Sequence, residues 1–256
     1  MGYRQASCHL LPVLLVAVLL VNSLGSHPLV AAEEPQLASG TFPFADIQVA
    51  YKIYNHEDPK APVVLFLHGQ KFTSQNWVDL GTLKHVLAQG LRAVAIDLPG
   101  FGASGHLPFT DSNMRAELIK AALEFSGQGA NVSEVGAVLV APSMSGKWAI
   151  PFLDRYGLML KGWVAIAPVG VMSWGGPWEY THKQVGLLAV YGENDPMLAE
   201  ADTLLKLFAR SRKAVINGAG HACYIDGPEV FHTQLAKFLE ANIRLPAPVL
   251  WRQDDR

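Results

Sequence analysis

A chain of 256 residues can close around one hydrophobic core before it would divide into several domains. Half of its residues are apolar, 16% are charged and the formal net charge is -2, so it can bury a core yet presents no general field to polyanions, and nucleic acid is not expected as a partner. The two cysteines, Cys8 and Cys223, stand at opposite ends and predict no structural disulfide; no Cys/His spacing matches a zinc site, so neither a metal nor a cofactor is expected.

From Leu10 to Val21 the chain is apolar throughout, with Arg4 before it and small residues reaching Val30-Ala31-Ala32 ahead of Glu33-Glu34. This predicts residues 1–32 as a secretory signal peptide cut near Ala32 or as an uncleaved type II signal anchor. The charges flanking an anchor would leave the N-terminus cytoplasmic. The expected localisation is therefore a single-pass membrane protein with a lumenal or extracellular domain, with secretion as the alternative. Residues 33–45 read as a linker, and the sequon Asn131-Val132-Ser133 makes Asn131 a candidate glycosylation site.

Past the linker, Ile47, Val49, Tyr51 and Ile53 alternate with polar or small residues, which predicts a half-buried strand near a sheet edge. Continuous apolar runs follow at Val63–Leu67, Ala93–Ile96, Ala137–Val140, Trp163–Ala167 and Leu187–Tyr191, as expected of strands buried on both faces. Helical patterns separate them at Trp77–Gln89, Asn113–Phe125, Ser145–Tyr156, Ala199–Phe208 and Glu229–Asn242. Alternating strands and helices predict an α/β domain over 46–245, a mostly parallel sheet with helices on both faces. Residues 246–256, opened by Pro246 and Pro248, read as a flexible tail.

Three strand ends carry chemistry. Ala141-Pro142-Ser143-Met144-Ser145 joins the run at Val140 to a helix, with only small side chains two positions before and after Ser143. That is what a nucleophile elbow requires, because its strained turn must hold the serine Oγ clear of the sheet. Gly192-Glu193-Asn194-Asp195-Pro196 and Asn217-Gly218-Ala219-Gly220-His221 close two later strands, in the order serine, acid, histidine. The candidate catalytic set is therefore Ser143, His221 as its base and Asp195 orienting the base, with Glu193 and Asp226 as reserve acids. Read singly, Ser143 or Ser145 could be a helix cap, Asp195 a turn residue and His221 a loop histidine; order and placement favour the triad. His68-Gly69-Gln70-Lys71 follows the strand ending at Leu67. It is expected to supply an oxyanion N–H from Gln70, with Lys71 as the alternative, beside that of Met144. His68 reads as a structural or positioning residue. Gly100-Phe101-Gly102-Ala103-Ser104-Gly105 matches the dinucleotide fingerprint literally, but Pro108 blocks the helix that the fingerprint must open.

These features make up an α/β-hydrolase fold, and the chain resembles the α/β-hydrolase domain-containing protein 14 family. The likeness is carried by Asn76-Trp77, Leu80-Gly81-Thr82-Leu83, Arg92 through Gly100, Pro142 through Gly146 and Gly220-His221-Ala222-Cys223-Tyr224. The apolar N-terminus is more similar to the membrane-anchored A form than to the B form. The resemblance implies the same triad, and the B form's association with small acyl esters and with acetyl transfer from lysine to coenzyme A makes coenzyme A a candidate partner. Between Ala167 and Leu187 only a minimal lid fits; its Trp174, Trp178 and Tyr180 are candidates for the wall of an acyl pocket. The expectation is a serine hydrolase of small acyl esters, amides or thioesters, with acyl transfer to coenzyme A or a non-catalytic binding protein as alternatives.

Overall fold

A computed structural model describes residues 35–108, 110–174 and 184–243. Among the described residues eight strands form one sheet: β1 (Leu37–Phe44), β2 (Ile47–Tyr54), β3 (Val63–Phe66), β4 (Arg92–Ile96), β5 (Ala137–Pro142), β6 (Leu160–Ile166), β7 (Gly186–Gly192) and β8 (Arg210–Ile216). Their order is β1-β2-β4-β3-β5-β6-β7-β8; β2 lies antiparallel to β1 and β4, and the pairs from β4 to β8 are parallel. The parallel strands β3, β4, β5 and β7 are buried at every position, as their uninterrupted apolar runs predict.

One face of the sheet is covered by α3 (Ser112–Ser126), α5 (Gly146–Tyr156) and α6 (Ala201–Lys206), the other by α1 (Gln75–Asp79), α2 (Thr82–Leu87), α7 (Cys223–Asp226) and α8 (Pro228–Ile243). Successive strand residues alternate between the two cores: Leu65, Leu139 and Ala189 face the first, and Phe66, Val140 and Val190 the second. The helical stretch predicted over 77–89 is two helices. Gly81, at φ +69°, ends the path of the first, and the second starts at Thr82.

The stretch read as a linker, 33–45, contains β1, which pairs with β2 along its whole length. Thus β1 is the sheet edge, and β2 lies next to it, near the edge as its alternation predicts. Pro43 lacks an N–H for the ladder but is tolerated on such a strand. The membrane expectation also requires correction. Among the described residues no helix is long and apolar enough to cross a bilayer. The longest, α8, has 16 residues and carries Glu229, Lys237 and Glu240, whereas a span needs about 20 apolar ones. The type II anchor and the membrane as partner are therefore not carried further, and residues 1–34, on which they rested, lie outside the described residues. The glycoprotein reading, which went with the membrane-anchored one, is not carried further either. Asn131 is the N-cap of α4 (Val132–Val135): its Oδ1 accepts from Ser133 N at 3.1 Å, and its Nδ2 donates to Glu134 Oε1 at 2.9 Å.

The second core ties the ends of two functional strands together. Trp77 on α1 is fully buried; its Nε1 donates to Leu67 O at 2.7 Å, and its ring stacks on Tyr224 of α7 at 4.7 Å. Through Trp77 the end of β3 and the helix after His221 share one support. Trp77→Ala is expected to cost about 3–5 kcal/mol, read as a lowered midpoint in urea unfolding.

Candidate active site

The sequence turns sharply where β5 meets α5. Ser143 sits there at φ +49°, a left-handed conformation that a non-glycine residue holds only when its surroundings impose it. Three features impose it. Ser145 Oγ donates to Pro142 O at 2.7 Å, Val169 N donates to Ser143 O at 2.9 Å, and Gly146 allows that approach, since a Cβ there would lie 2.5 Å from Val169 O. The serine that competes with Ser143 in the sequence is thus buried and committed to the turn itself.

Asp195 and His221 arrive on loops that cross each other. Asn194 N donates to Ala219 O at 2.9 Å and Glu193 N to Ile216 O at 3.0 Å. A Cβ on Gly192 would lie 2.1 Å from Gly220 O, so only glycine admits the crossing. Glu193 Oε2 then accepts from Gly218 N and Asp226 Oδ2 from Gly220 N, each at 2.8 Å. The two reserve acids are therefore clamps on the histidine loop, a role that their position in the sequence does not reveal.

Within this frame Asp195 has its side chain fully buried. Its Oδ1 accepts from Met197 N at 2.9 Å and its Oδ2 faces His221 Nδ1 at 2.9 Å. His221 Nε2 lies 2.8 Å from Ser143 Oγ, and 42% of the imidazole side chain is exposed, so the serine end of the relay opens to solvent. Because a carboxylate only accepts, Nδ1 carries the proton and Nε2 offers its lone pair to the serine hydroxyl. Cys223, two residues beyond, is buried, and desolvation, aided by Asp195 and Asp226, pushes its thiol up to about 12; it stays protonated and inert.

Gly69 backs onto Ser143, since a Cβ on it would stand 3.8 Å from Ser143 Cβ, so the turn from Gly69 to Phe72 reaches the serine from the β3 side. Of the three aromatic residues expected in the pocket, Trp174 packs half-buried against the first core, with its Nε1 buried and unpaired among the described residues; Trp178 and Tyr180 lie outside them. The same core is flanked by Met144, expected above as an oxyanion donor through its backbone, and by Met197, which the sequence does not single out because a lone methionine carries no periodic signal. Among the described residues no group of three or more His, Cys, Asp or Glu could hold a metal ion.

The chain is 42% identical over 183 residues to ABHD14A of Danio rerio, covering 71% of this chain and 65% of that protein. It is 38% identical over 180 residues to ABHD14B of Rattus norvegicus, a provisionally named protein-lysine deacylase, covering 69% of this chain and 82% of that one. The chain belongs to the ABHD14 family. No family model matches it. In structure it is similar to a predicted CIB-like hydrolase from Thermoplasma acidophilum (TM-score 0.70, 25% identity, 80% of this chain and 98% of that one). Carboxylesterase CesB of Bacillus subtilis shares the fold at TM-score 0.64 and 16% identity, over 80% and 92% of the two chains. The α/β-hydrolase fold is thereby established, and relatives and fold together support a hydrolase.

Two outcomes follow from the crossing loops and the buried thiol. Gly192→Ala is expected to lower stability by about 1–3 kcal/mol and to displace the His221 imidazole, read from its NMR resonances. In the folded protein at pH 8, Cys223 should resist iodoacetamide and become alkylated only on unfolding, as followed by peptide mass mapping.

Proposed function

We propose that this protein is a serine hydrolase of small acyl esters, amides or thioesters, with Ser143 as nucleophile, His221 as general base and acid, and Asp195 as the group that orients His221. The observation that carries this reading is the unbroken relay from Ser143 Oγ through His221 to a buried Asp195. As Ser143 Oγ adds to the acyl carbon, its proton passes to His221 Nε2, and Asp195 stabilises the imidazolium. His221 then returns the proton to the leaving alcohol, amine or thiol as its bond to the acyl carbon breaks, leaving Ser143 acylated. Water adds in the same way, giving its proton to His221; the acid departs and Ser143 recovers its hydrogen.

Negative charge on the acyl oxygen would be met by the N–H groups of Gln70 and Met144, supported by the N-terminus of α5 behind Ser143. The exposure of His221 suits an acyl group presented on a larger carrier. The deacylase description of the rat relative agrees with an acylated lysine amide, which this mechanism would hydrolyse. Water is the acceptor in this reading, and the coenzyme A expectation has no support in the geometry.

With p-nitrophenyl acetate or butyrate as substrate, Ser143→Ala is expected to abolish turnover, Asp195→Asn to lower kcat by about 10⁴, and Ser145→Ala to retain most of the activity. Turnover of long-chain triglyceride with none of the short esters would contradict the substrate class. A folded wild-type protein inert toward every ester, amide and thioester would favour a binding protein.

A further inference from the structure

We propose that His68 is a positioning residue for the oxyanion site: it pins the Gly69 carbonyl so that the Gln70 N–H is presented to the acyl oxygen on Ser143. This rests on the serine-hydrolase reading above and extends it to a side chain that touches neither substrate nor reacting atoms.

The argument begins with the imidazole. His68 is completely buried, and both ring nitrogens are committed to main chain: Nε2 lies 2.9 Å from Leu98 N and Nδ1 lies 2.9 Å from Gly69 O. Leu98 N–H can only donate, so Nε2 must be the lone pair, and Nδ1 must then carry the hydrogen that Gly69 O accepts. One neutral tautomer satisfies both bonds, whereas an imidazolium would set two N–H groups against each other at Leu98. Burial lowers the His68 pKa, in the same sense.

Gly69 O also accepts from Phe72 N at 3.0 Å, so two donors hold it. The described chain contains no cis peptide bond, and in a trans peptide the carbonyl and the following N–H point in opposite directions. Fixing Gly69 O therefore fixes the Gln70 N–H. A Cβ added to Gly69 would stand 3.8 Å from Ser143 Cβ, which puts this residue beside the proposed nucleophile. A glycine peptide rotates easily when unpinned, and rotation would turn an acceptor toward developing negative charge where a donor is needed.

The other end of the imidazole is anchored in its turn. Leu98 follows Asp97, whose buried carboxylate accepts from Ser74 N at 2.7 Å and Ala103 N at 2.9 Å, while Asp97 N donates to Ala50 O at 2.9 Å. His68 thus transfers the rigidity of the loop after β4 to the oxyanion turn after β3. Packing alone would be served by an apolar side chain without the desolvation of two ring nitrogens.

The test uses the full chain and three variants. His68→Gln can still accept from Leu98 but loses the donor to Gly69 O; His68→Leu keeps the volume and loses both bonds; His68→Asn keeps a donor near the Nδ1 position. On a short acyl ester, Gln and Leu should lower kcat by about 10²–10³ with KM little changed, and Asn should recover at least about tenfold. Inhibition by a trifluoromethyl ketone, whose adduct with Ser143 carries the oxyanion, should weaken in the same order. Unaltered kcat and inhibition in folded His68→Leu would overturn the proposal. Should the variants not fold, nitrogen-15 NMR of the wild-type imidazole decides: Nδ1–H with a bare Nε2 is expected, and Nε2–H or an imidazolium at neutral pH overturns it. A folded wild type that neither turns over esters nor binds the ketone removes the underlying hydrolase reading instead, a result distinct from either of these.

Discussion

The site depends on a buried carboxylate whose two oxygens are both committed. Asp195 gives Oδ1 to Met197 N and Oδ2 to His221, and its side chain is excluded from water. A charge so placed is costly unless it is fully hydrogen-bonded, so the loops that deliver its partners must be held in register. This explains why the loops after β7 and β8 are laced by backbone bonds, why Gly192 must lack a side chain at their crossing, and why Glu193 and Asp226 clamp the glycines before His221. On the serine side the same logic appears as strain: Ser143 holds its left-handed conformation because Ser145, Gly146 and Val169 leave it no alternative. The surrounding backbone thus holds the three side chains in one fixed arrangement.

Much of this was legible in the sequence, for physical reasons. Strands buried on both faces must be apolar at every position, so the runs at Val63, Ala93, Ala137, Trp163 and Leu187 mark the centre of the sheet. Sites in such sheets form at the carboxyl ends of strands, and Ser143, Asp195 and His221 each follow one, in an order the fold dictates. The small residues Ala141 and Ser145 reveal the elbow because its turn excludes larger ones.

What stayed illegible lacks periodicity. The edge strand β1 buries only Phe42 and carries Gly40 and Pro43, so its pattern resembles a linker; pairing with β2, not burial, makes it a strand. The helices α4 and α7 are four residues long, too short to repeat an apolar face. Asn131 satisfies a three-residue sequon, yet it serves as a helix cap, a role the sequon does not encode. Asp195 could be ranked ahead of Glu193 and Asp226 from the sequence, but that the latter two clamp the histidine loop depends on how two loops cross, and such contact between distant segments is invisible to local pattern.

The central claim is that Ser143 is the activated nucleophile, and the most direct measurement is covalent capture by a fluorophosphonate probe followed by peptide mass mapping. The account predicts one adduct, on Ser143, which disappears when His221 is replaced by alanine. An adduct on Ser145 or elsewhere, or no adduct on the folded protein, would contradict it.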